Sequence, residues 1–265
     1  MTPPSATPLR VERHGRVMVL TFDNPDQRNA LDPGVYRSGT SALAEAAADP
    51  AIGSVVLTGA AGTFSSGGNL ARLRANREQH PDVQRNSVEL LHRFVRAIRA
   101  TPVPIIAAVE GVAAGAGFSL ALACDLLIAA DDAKFIMAYS RVGLNPDGGA
   151  TAFLARGLPP QLAAELLFTG SPIGATRLSD LGVVNRLVAP GLACDEALAW
   201  AATLAAGPRA ALGRAKRLIE AAPHHDLDRQ LDLEAELLTE AVHHREAREG
   251  IDAFLARRKP DFTRT

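Results

Sequence analysis

The segment AAVEGVAAGAGFSLALACDLLIA, residues 107–129, decides how this chain folds. It leaves an apolar run (IIAAV, 105–109), crosses a Gly/Ala turn at 111–118, forms a helical stretch near 119–123 and enters a second apolar run at 126–129. Short apolar runs divided by glycine turns read as strands buried on both faces, the pattern of a parallel sheet. Strand, crossover and strand in quick succession imply repeated β-α units, so the fold class is α/β. The uncharged stretch between Glu110 and Asp125 falls short of the roughly 20 apolar residues a membrane helix needs, and its glycines weaken it further. The sequence GFSLA at 117–121 misses the GxSxG nucleophile elbow by its last residue, and the glycines of 111–117 do not spell GxGxxG.

Upstream, residues 15–22 (GRVMVLTF) read as a strand with 9–13 pairing against it. Asn24 to Arg28 is turn chemistry. Asp32 before Pro33 is an N-cap followed by proline in the first turn, opening a helix to about Ala48. Residues 52–57 form a buried strand, 62–68 (GTFSSGG) a small-residue loop, and 71–79 a charged helical or mobile segment. Residues 83–100 carry Val88, Leu91, Val95 and Ile98 at helical spacing. Downstream, 134–136 is a further short strand. From about Pro190 the chain turns helical: 194–206, 208–221, and one long charged helix over 226–256. In the last, Leu227, Leu231, Leu238, Val242 and Phe254 form a stripe that must bury against the parent domain or a partner. The chain therefore divides into a Pro/Ser/Thr tail (1–8), an α/β core (9–195) and a helical region (196–265).

The 265 residues carry 28 Lys+Arg against 29 Asp+Glu, a net charge of −1, which argues against a nucleic-acid binder needing a concentrated basic face. Aromatic residues make up 5%, so the core must be built from Ala, Val, Leu and Ile. Cys124 and Cys194 lie in apolar surroundings and read as buried free thiols of a reducing compartment. With no apolar leader and no membrane span, the reading is a soluble, cytoplasmic protein. The paired histidines 224–225 and 243–244 point apart on a helix, and no metal-ligand spacing occurs, so no metal site is expected. Two glycine-rich turns remain, FSSGGNL at 64–70 and 111–117, each after a buried strand. Either serves close helix–strand packing, or it frees backbone N–H groups that converge on a ligand as an oxyanion hole.

Five segments in register carry a family resemblance: Asn24-Pro25 with Arg28-Asn29-Ala30-Leu31, FSSGGNL at 64–70, residues 107–129, SRVGLNPDGGA at 140–150, and EGIDAFLARRKPDF at 249–262. Over nearly its whole length the chain resembles the crotonase (enoyl-CoA hydratase/isomerase) superfamily. That resemblance implies a spiral of β-β-α units with a C-terminal α-helical trimerisation region, assembled as a homotrimer or a dimer of trimers. It implies an acyl-CoA substrate, with coenzyme A entering as part of the thioester and no permanently bound cofactor. It also implies an enolate held at the thioester carbonyl by two backbone amides, matched here to Ser66 and Ala116. Arg28, Ala30 and Leu31 match the CoA-binding turn, joined by Ser65, Gly67, Asn69 and Leu70. Lys259, with Phe254 nearby, matches a pair that reaches the CoA of a neighbouring subunit.

The chain departs from the hydratase pattern at both glutamate positions, which fall on Ser119 and Tyr139. A hydroxyl at its ordinary pKa is a poor general base near neutral pH, so the usual water-adding machinery is missing. Asp147 is the one carboxylate nearby, in Asn145-Pro146-Asp147-Gly148-Gly149. It would serve either as a helix N-cap or as the group that moves a proton between C2 and C4 of the acyl chain. The second role resembles the Δ3,Δ2-enoyl-CoA isomerase branch, including the phenylacetate-pathway ring isomerases. A pocket closed by Leu70, Phe118 and Tyr139 would raise the carboxyl's pKa. Asn69, where the family usually has Asp, is expected to brace its loop. Two other readings stand beside this one. The first is a hydratase or ring-opening hydrolase on an unusual, aromatic-pathway acyl-CoA. The second is a non-catalytic CoA- or RNA-binding relative, with Arg72, Arg74 and Arg77 as its sequence support.

Overall fold

The computed structural model describes residues 9–264, so the tail read at 1–8 lies outside the described residues. β1 (Leu9–His14) and β2 (Val17–Phe22) form an antiparallel hairpin about Gly15, whose φ of +60° suits glycine. α1 (Pro33–Ala48) starts where the sequence places it: the Asp32 carboxylate accepts the N–H groups of Gly34 (2.7 Å) and Val35 (3.1 Å). β3 (Ser54–Gly59) begins two residues later than read, because Ile52 and Gly53 are spent on turn hydrogen bonds to Asp49 and Arg16. α2 (Leu70–Asn76) and α3 (Pro81–Ala100) follow.

β4 (Ile105–Val109) then leads into β5 (Val112–Ala114), α4 (Ala116–Ala123), β6 (Leu126–Ala130) and β7 (Lys134–Ile136). Here the sequence reading is corrected: its 111–118 turn contains a strand, and the helix starts at Ala116 rather than near 119. Three residues are too few to show periodicity; β5 exists because β7 on one side and Ser65 on the other supply ladder partners. α5 (Ala150–Gly157), α6 (Pro160–Thr169), β8 (Ile173–Gly174), α7 (Ala175–Asp180) and β9 (Arg186–Val188) complete the core.

Two sheets result. The larger has the order β1-β2-β3-β4-β6-β9 and is parallel from β2 onward; the smaller has the order β5-β7-β8. Each turn of the chain adds a long strand to the first sheet, a short strand to the second, and a helix. β3 is followed by the Ser65 bridge and α2–α3, β4 by β5 and α4, and β6 by β7 and α5. This is the β-β-α spiral that the resemblance implies. Met18, Leu20, Val55, Leu57, Ile105 and Ala107 face the main core beneath α1, α3 and α4. On the opposite face Val17, Val19, Val56, Ile106, Ala108 and Ile128 meet α8 (Ala193–Ala205), which presents Ala193, Ala197, Ala201 and Ala205. An alanine every four residues forms one narrow stripe, which lets the helix lie close on the sheet. The position 195/196, where the sequence divides core from helical region, falls inside this helix.

α9 (Arg209–Ala221), α10 (Leu227–Val242) and α11 (Arg245–Leu255) end the chain. The single helix read over 226–256 is in fact two. At the break His244 is extended and its Nδ1 accepts the N–H of Glu246, an N-cap where the stripe alone predicts continuity. The Glu246 carboxylate then accepts the N–H groups of Ala210 and Ala211 at the start of α9. Among the described residues no helix is long and apolar enough to cross a membrane. Both cysteines are free, but only Cys124 is buried; Cys194 is half-buried, which corrects the expectation of two buried thiols.

α9 is pinned to the core through Lys216, which is 9% exposed. Its Nζ donates to Asp125 Oδ2 (2.7 Å) and to the Ile98 carbonyl (2.8 Å). Burial pushes the lysine's pKa down and the aspartate's up, each against the pull of the other. Lys216→Met would leave the Asp125 charge with the Ile105 N–H (2.9 Å) and a 3.7 Å approach of Arg99. Removing one partner of a buried pair is strongly destabilising, so a loss of about 3 kcal/mol is expected. Urea unfolding measures it. An unchanged midpoint would show that Arg99 alone suffices.

Candidate active site

Two backbone turns make one half of the site. Arg28 and Asn29 both adopt left-handed φ (51° and 56°), which asparagine tolerates best of the larger residues. The buried Asn29 side chain donates to the carbonyls of Ala60 (2.9 Å) and Thr63 (2.6 Å) and accepts the N–H of Asn24 (3.0 Å). Onto this turn the 64–70 loop is laid. Ser65 Oγ donates to the Asn29 carbonyl (2.8 Å), and the Ser66 N–H donates to the Arg28 carbonyl (2.9 Å). Leu31 N–H meets the Gly67 carbonyl, and Asn69 N–H meets the Leu31 carbonyl. In that parallel bridge Gly68 sits opposite Leu31 with its own N–H turned to the other side.

On that other side lies the second turn. Ser65 pairs with Val112 and Ala114 of β5 through its N–H and carbonyl. Gly67 has φ +90°, and a Cβ there would stand 2.6 Å from the Ala114 carbonyl oxygen and 3.5 Å from the Ala116 nitrogen. Only glycine permits this backbone-to-backbone contact. Ala116 opens α4, so its N–H is one of the helix's orphan donors. Among the described residues neither the Gly68 N–H nor the Ala116 N–H has an acceptor. The donor matched to Ser66 is thus corrected: its N–H is taken by Arg28, and the free amide lies two residues on, at Gly68.

The other half gathers Ser119, Tyr139 and Asp147. Ser119 is fully buried in α4, its Oγ within 3.1 Å of the Asp147 carbonyl. Gly148 and Gly149 have φ of +62° and +82°; a Cβ on Gly148 would lie 3.0 Å from Ser119 Cβ and 3.4 Å from Leu91 Cδ2. This pressed turn holds Asp147 against Tyr139, whose hydroxyl donates to Asp147 Oδ1 at 2.6 Å. The helix-cap role for Asp147 is not realised: the N-cap of α5 is Gly149, without a side-chain hydrogen bond. Burial raises the Asp147 pKa above the usual carboxylate range, against the Tyr139 hydrogen bond and the charge of His92 on α3. Burial and then Asp147 raise the Tyr139 pKa, so its hydroxyl stays protonated and donates.

The remaining site residues divide. Arg28 is exposed and makes no side-chain hydrogen bond or ion pair among the described residues, and the Ala30 carbonyl has no partner there. Leu31 is buried with both backbone groups committed, and Ser65 is fully buried with its hydroxyl committed, so neither is open to a ligand; both are corrected. Asn69 caps α2 through Oδ1 (3.0 Å to the Arg72 N–H) and reaches Gln27 through Nδ2 (2.7 Å), bracing its loop. Of the three expected pocket walls, Tyr139 meets Asp147, Phe118 packs in the core against Phe135, and Leu70 is 60% exposed. Phe254, 83% exposed, and Lys259 make no hydrogen bond or ion pair with the site. Arg72, Arg74 and Arg77 are exposed, on and just after α2. No group of three or more His, Cys, Asp or Glu able to hold a metal occurs among the described residues.

Comparison with known proteins settles the lineage. Residues 12–265 match the family described as enoyl-CoA hydratase/isomerase. The chain belongs to the enoyl-CoA hydratase/isomerase family. It is 36% identical over 248 residues to the 1,2-epoxyphenylacetyl-CoA isomerase of Escherichia coli (strain K12), covering 93% of this chain and 95% of that protein. It is 32% identical over 254 residues to the 2,3-dehydroadipyl-CoA hydratase of the same organism, covering 96% and 98%. A crystal structure of an enoyl-CoA hydratase from Polaromonas sp. JS666 superposes with a TM-score of 0.94 at 49% identity, covering 96% of this chain and 98% of that one. The chain is thus an enoyl-CoA hydratase/isomerase family enzyme. The sequence reading does not place Gly68, Leu91 or His92 at the site, although it puts Leu91 on the apolar face of α3. Gly68 sat inside a flagged motif but one needs the bridge register to see which N–H is free. Leu91 and His92 join the site only because α3 packs beside the Asp147 turn.

Proposed function

We propose that the protein is a Δ3,Δ2-type enoyl-CoA isomerase in which Asp147 is the acid/base. The observation that carries this reading is one buried carboxylate, free of any capping role and held by a protonated tyrosine, where both hydratase positions hold hydroxyls. Ionised Asp147 removes a proton from C2 of a 3-enoyl thioester. The electrons pass to the thioester oxygen, which the Gly68 and Ala116 N–H groups stabilise as an oxyanion. Asp147 returns the proton to C4, the dienolate collapses, and the product is the 2-enoyl thioester. One group suffices, because it is restored at each turnover. Coenzyme A is part of the substrate, with Arg28 and the Ala30 carbonyl offered to it. On this reading Lys259 and the exposed Leu227, Leu231 and Leu238 meet a second copy of the chain.

The similarity to named hydratases supports a second reading, water addition to an unusual acyl-CoA. Paired assays separate the two. Turnover of a 3-enoyl-CoA should exceed hydration of crotonyl-CoA by at least about 100-fold, the scale of a positioned acid/base; comparable rates would favour the hydratase.

Tyr139→Phe tests the geometry without removing the carboxylate. The tyrosine's hydrogen bond favours ionised Asp147, so its loss raises the carboxyl pKa further. The base is then protonated at higher pH. The acid limb of the kcat/KM profile should move to higher pH, with the plateau less affected. An unmoved limb would remove Tyr139 from the mechanism.

A further inference from the structure

We propose that Tyr36 donates a hydrogen bond to a neutral oxygen on the acyl chain, making it a specificity residue for oxygen-bearing acyl-CoA substrates; this rests on the acyl-CoA reading above. The chain contains two tyrosines, and one of them, Tyr139, is hydrogen-bonded to Asp147. Tyr139 commits its hydroxyl to the carboxylate. Tyr36, on α1 and 5% exposed, has no hydrogen-bond partner for its hydroxyl among the described residues. Yet no side-chain N or O among those residues is both sealed from solvent and unpartnered. The Tyr36 hydroxyl must therefore open onto a space while its ring is buried. Phenylalanine would bury the same ring without a polar atom to desolvate.

The packing places that space. α1 and α3 both return from the carboxyl ends of parallel strands, so they run the same way, and Gly39 of α1 presses on Phe94 of α3. One turn toward each helix's N-terminus stand Tyr36 and Leu91, and Leu91 abuts Gly148, next to Asp147. The Asp147 charge accordingly raises the Tyr36 pKa, after burial, with Asp32 adding to it and Arg72 opposing it. The hydroxyl thus stays protonated and acts as a donor. The nearby carboxylate opposes an anionic acyl group, which leaves an ether, carbonyl or hydroxyl oxygen as acceptor.

Calorimetric binding of two unreactive thioesters of equal length, hexanoyl-CoA and 4-methoxybutanoyl-CoA, tests this in wild type and Tyr36→Phe. The 3-methoxypropanoyl/pentanoyl and 5-methoxypentanoyl/heptanoyl pairs extend the scan. For at least one pair the preference for the ether should fall about tenfold in the variant, the scale of one neutral hydrogen bond, with the alkyl thioester within twofold. Equal weakening of both members, or an unchanged preference in every pair, would overturn the proposal. A shifted acid limb of kcat/KM with preference unchanged would also overturn it, making Tyr36 a positioning residue for Asp147. Because neither thioester reacts, an ether preference that is present in wild type and falls in Tyr36→Phe, beside absent isomerase turnover, would sink the isomerase reading and leave Tyr36 standing. Failure of every thioester to bind would overturn both.

Discussion

Asp147→Asn is expected to lower isomerisation of a 3-enoyl-CoA by about 10²–10⁴-fold, the contribution of a positioned general acid/base. Asparagine preserves the shape of the carboxylate and can still accept the Tyr139 hydroxyl, but it cannot take the C2 proton. Substrate binding should therefore be little changed, and the loss should fall on kcat. With substrate deuterated at C2, the wild-type enzyme should carry label to C4 or lose it to solvent through Asp147, and the variant should do neither. Wild-type activity in the variant would end the assignment. The same substitution should raise stability at neutral pH. The folded-state pKa of Asp147 is raised by burial, so the ionised carboxylate is held less favourably in the folded than in the unfolded chain. That penalty is present above the folded pKa and disappears as pH falls below the unfolded value. Asparagine removes it, so the variant's gain in Tm should be seen at pH 7 and should shrink toward acid. Loss of activity with a gain in stability marks a group kept for chemistry rather than for the fold.

Gly67→Ala should lower kcat by about 10²–10³-fold, the scale of losing one oxyanion donor. The methyl group would fall 2.6 Å from the Ala114 carbonyl oxygen at a φ of +90°, so the loop must move away from β5 and α4. Gly68 follows Gly67 directly, and its N–H would leave the place where we propose it meets the oxyanion together with Ala116. Gly62→Ala is the control. It has φ +67° but nothing within 4 Å of the added methyl, so it bears the backbone strain without the collision. If both variants lose activity alike, strain in the loop explains the effect, and the two-amide geometry is not supported. If Gly67→Ala alone falls while CoA still binds, the close approach of the two turns is what the activity requires.

Much of this architecture is legible in the residues themselves. Asp32-Pro33 announces the start of α1, IIAAV gives β4 to the residue, and the small residues of 64–70 and 111–117 mark both turns as places where backbone is approached closely. These are local rules, decided by steric freedom, capping and apolar runs within a few neighbours. What was missed depends on distant partners. β5 is three residues long and exists because β7 and Ser65 pair with it. The helix read across 226–256 breaks at His244, where a cap and the reach of Glu246 to α9 outweigh an unbroken stripe.

The site shows the same division. The family resemblance marks Asp147 as the carboxylate near two hydroxyls, because Ser119 and Tyr139 stand where that pattern has glutamates. Which amide is free is a matter of register: Ser66 and Gly68 lie in the same small-residue motif, but the Arg28 carbonyl takes the Ser66 N–H while the bridge to Leu31 leaves the Gly68 N–H on its other side. Residue types determine which chemistry is possible; packing between α1, α3 and the Asp147 turn decides which of those groups meet, because hydrogen-bond direction and burial are properties of the assembled neighbours and not of the chain.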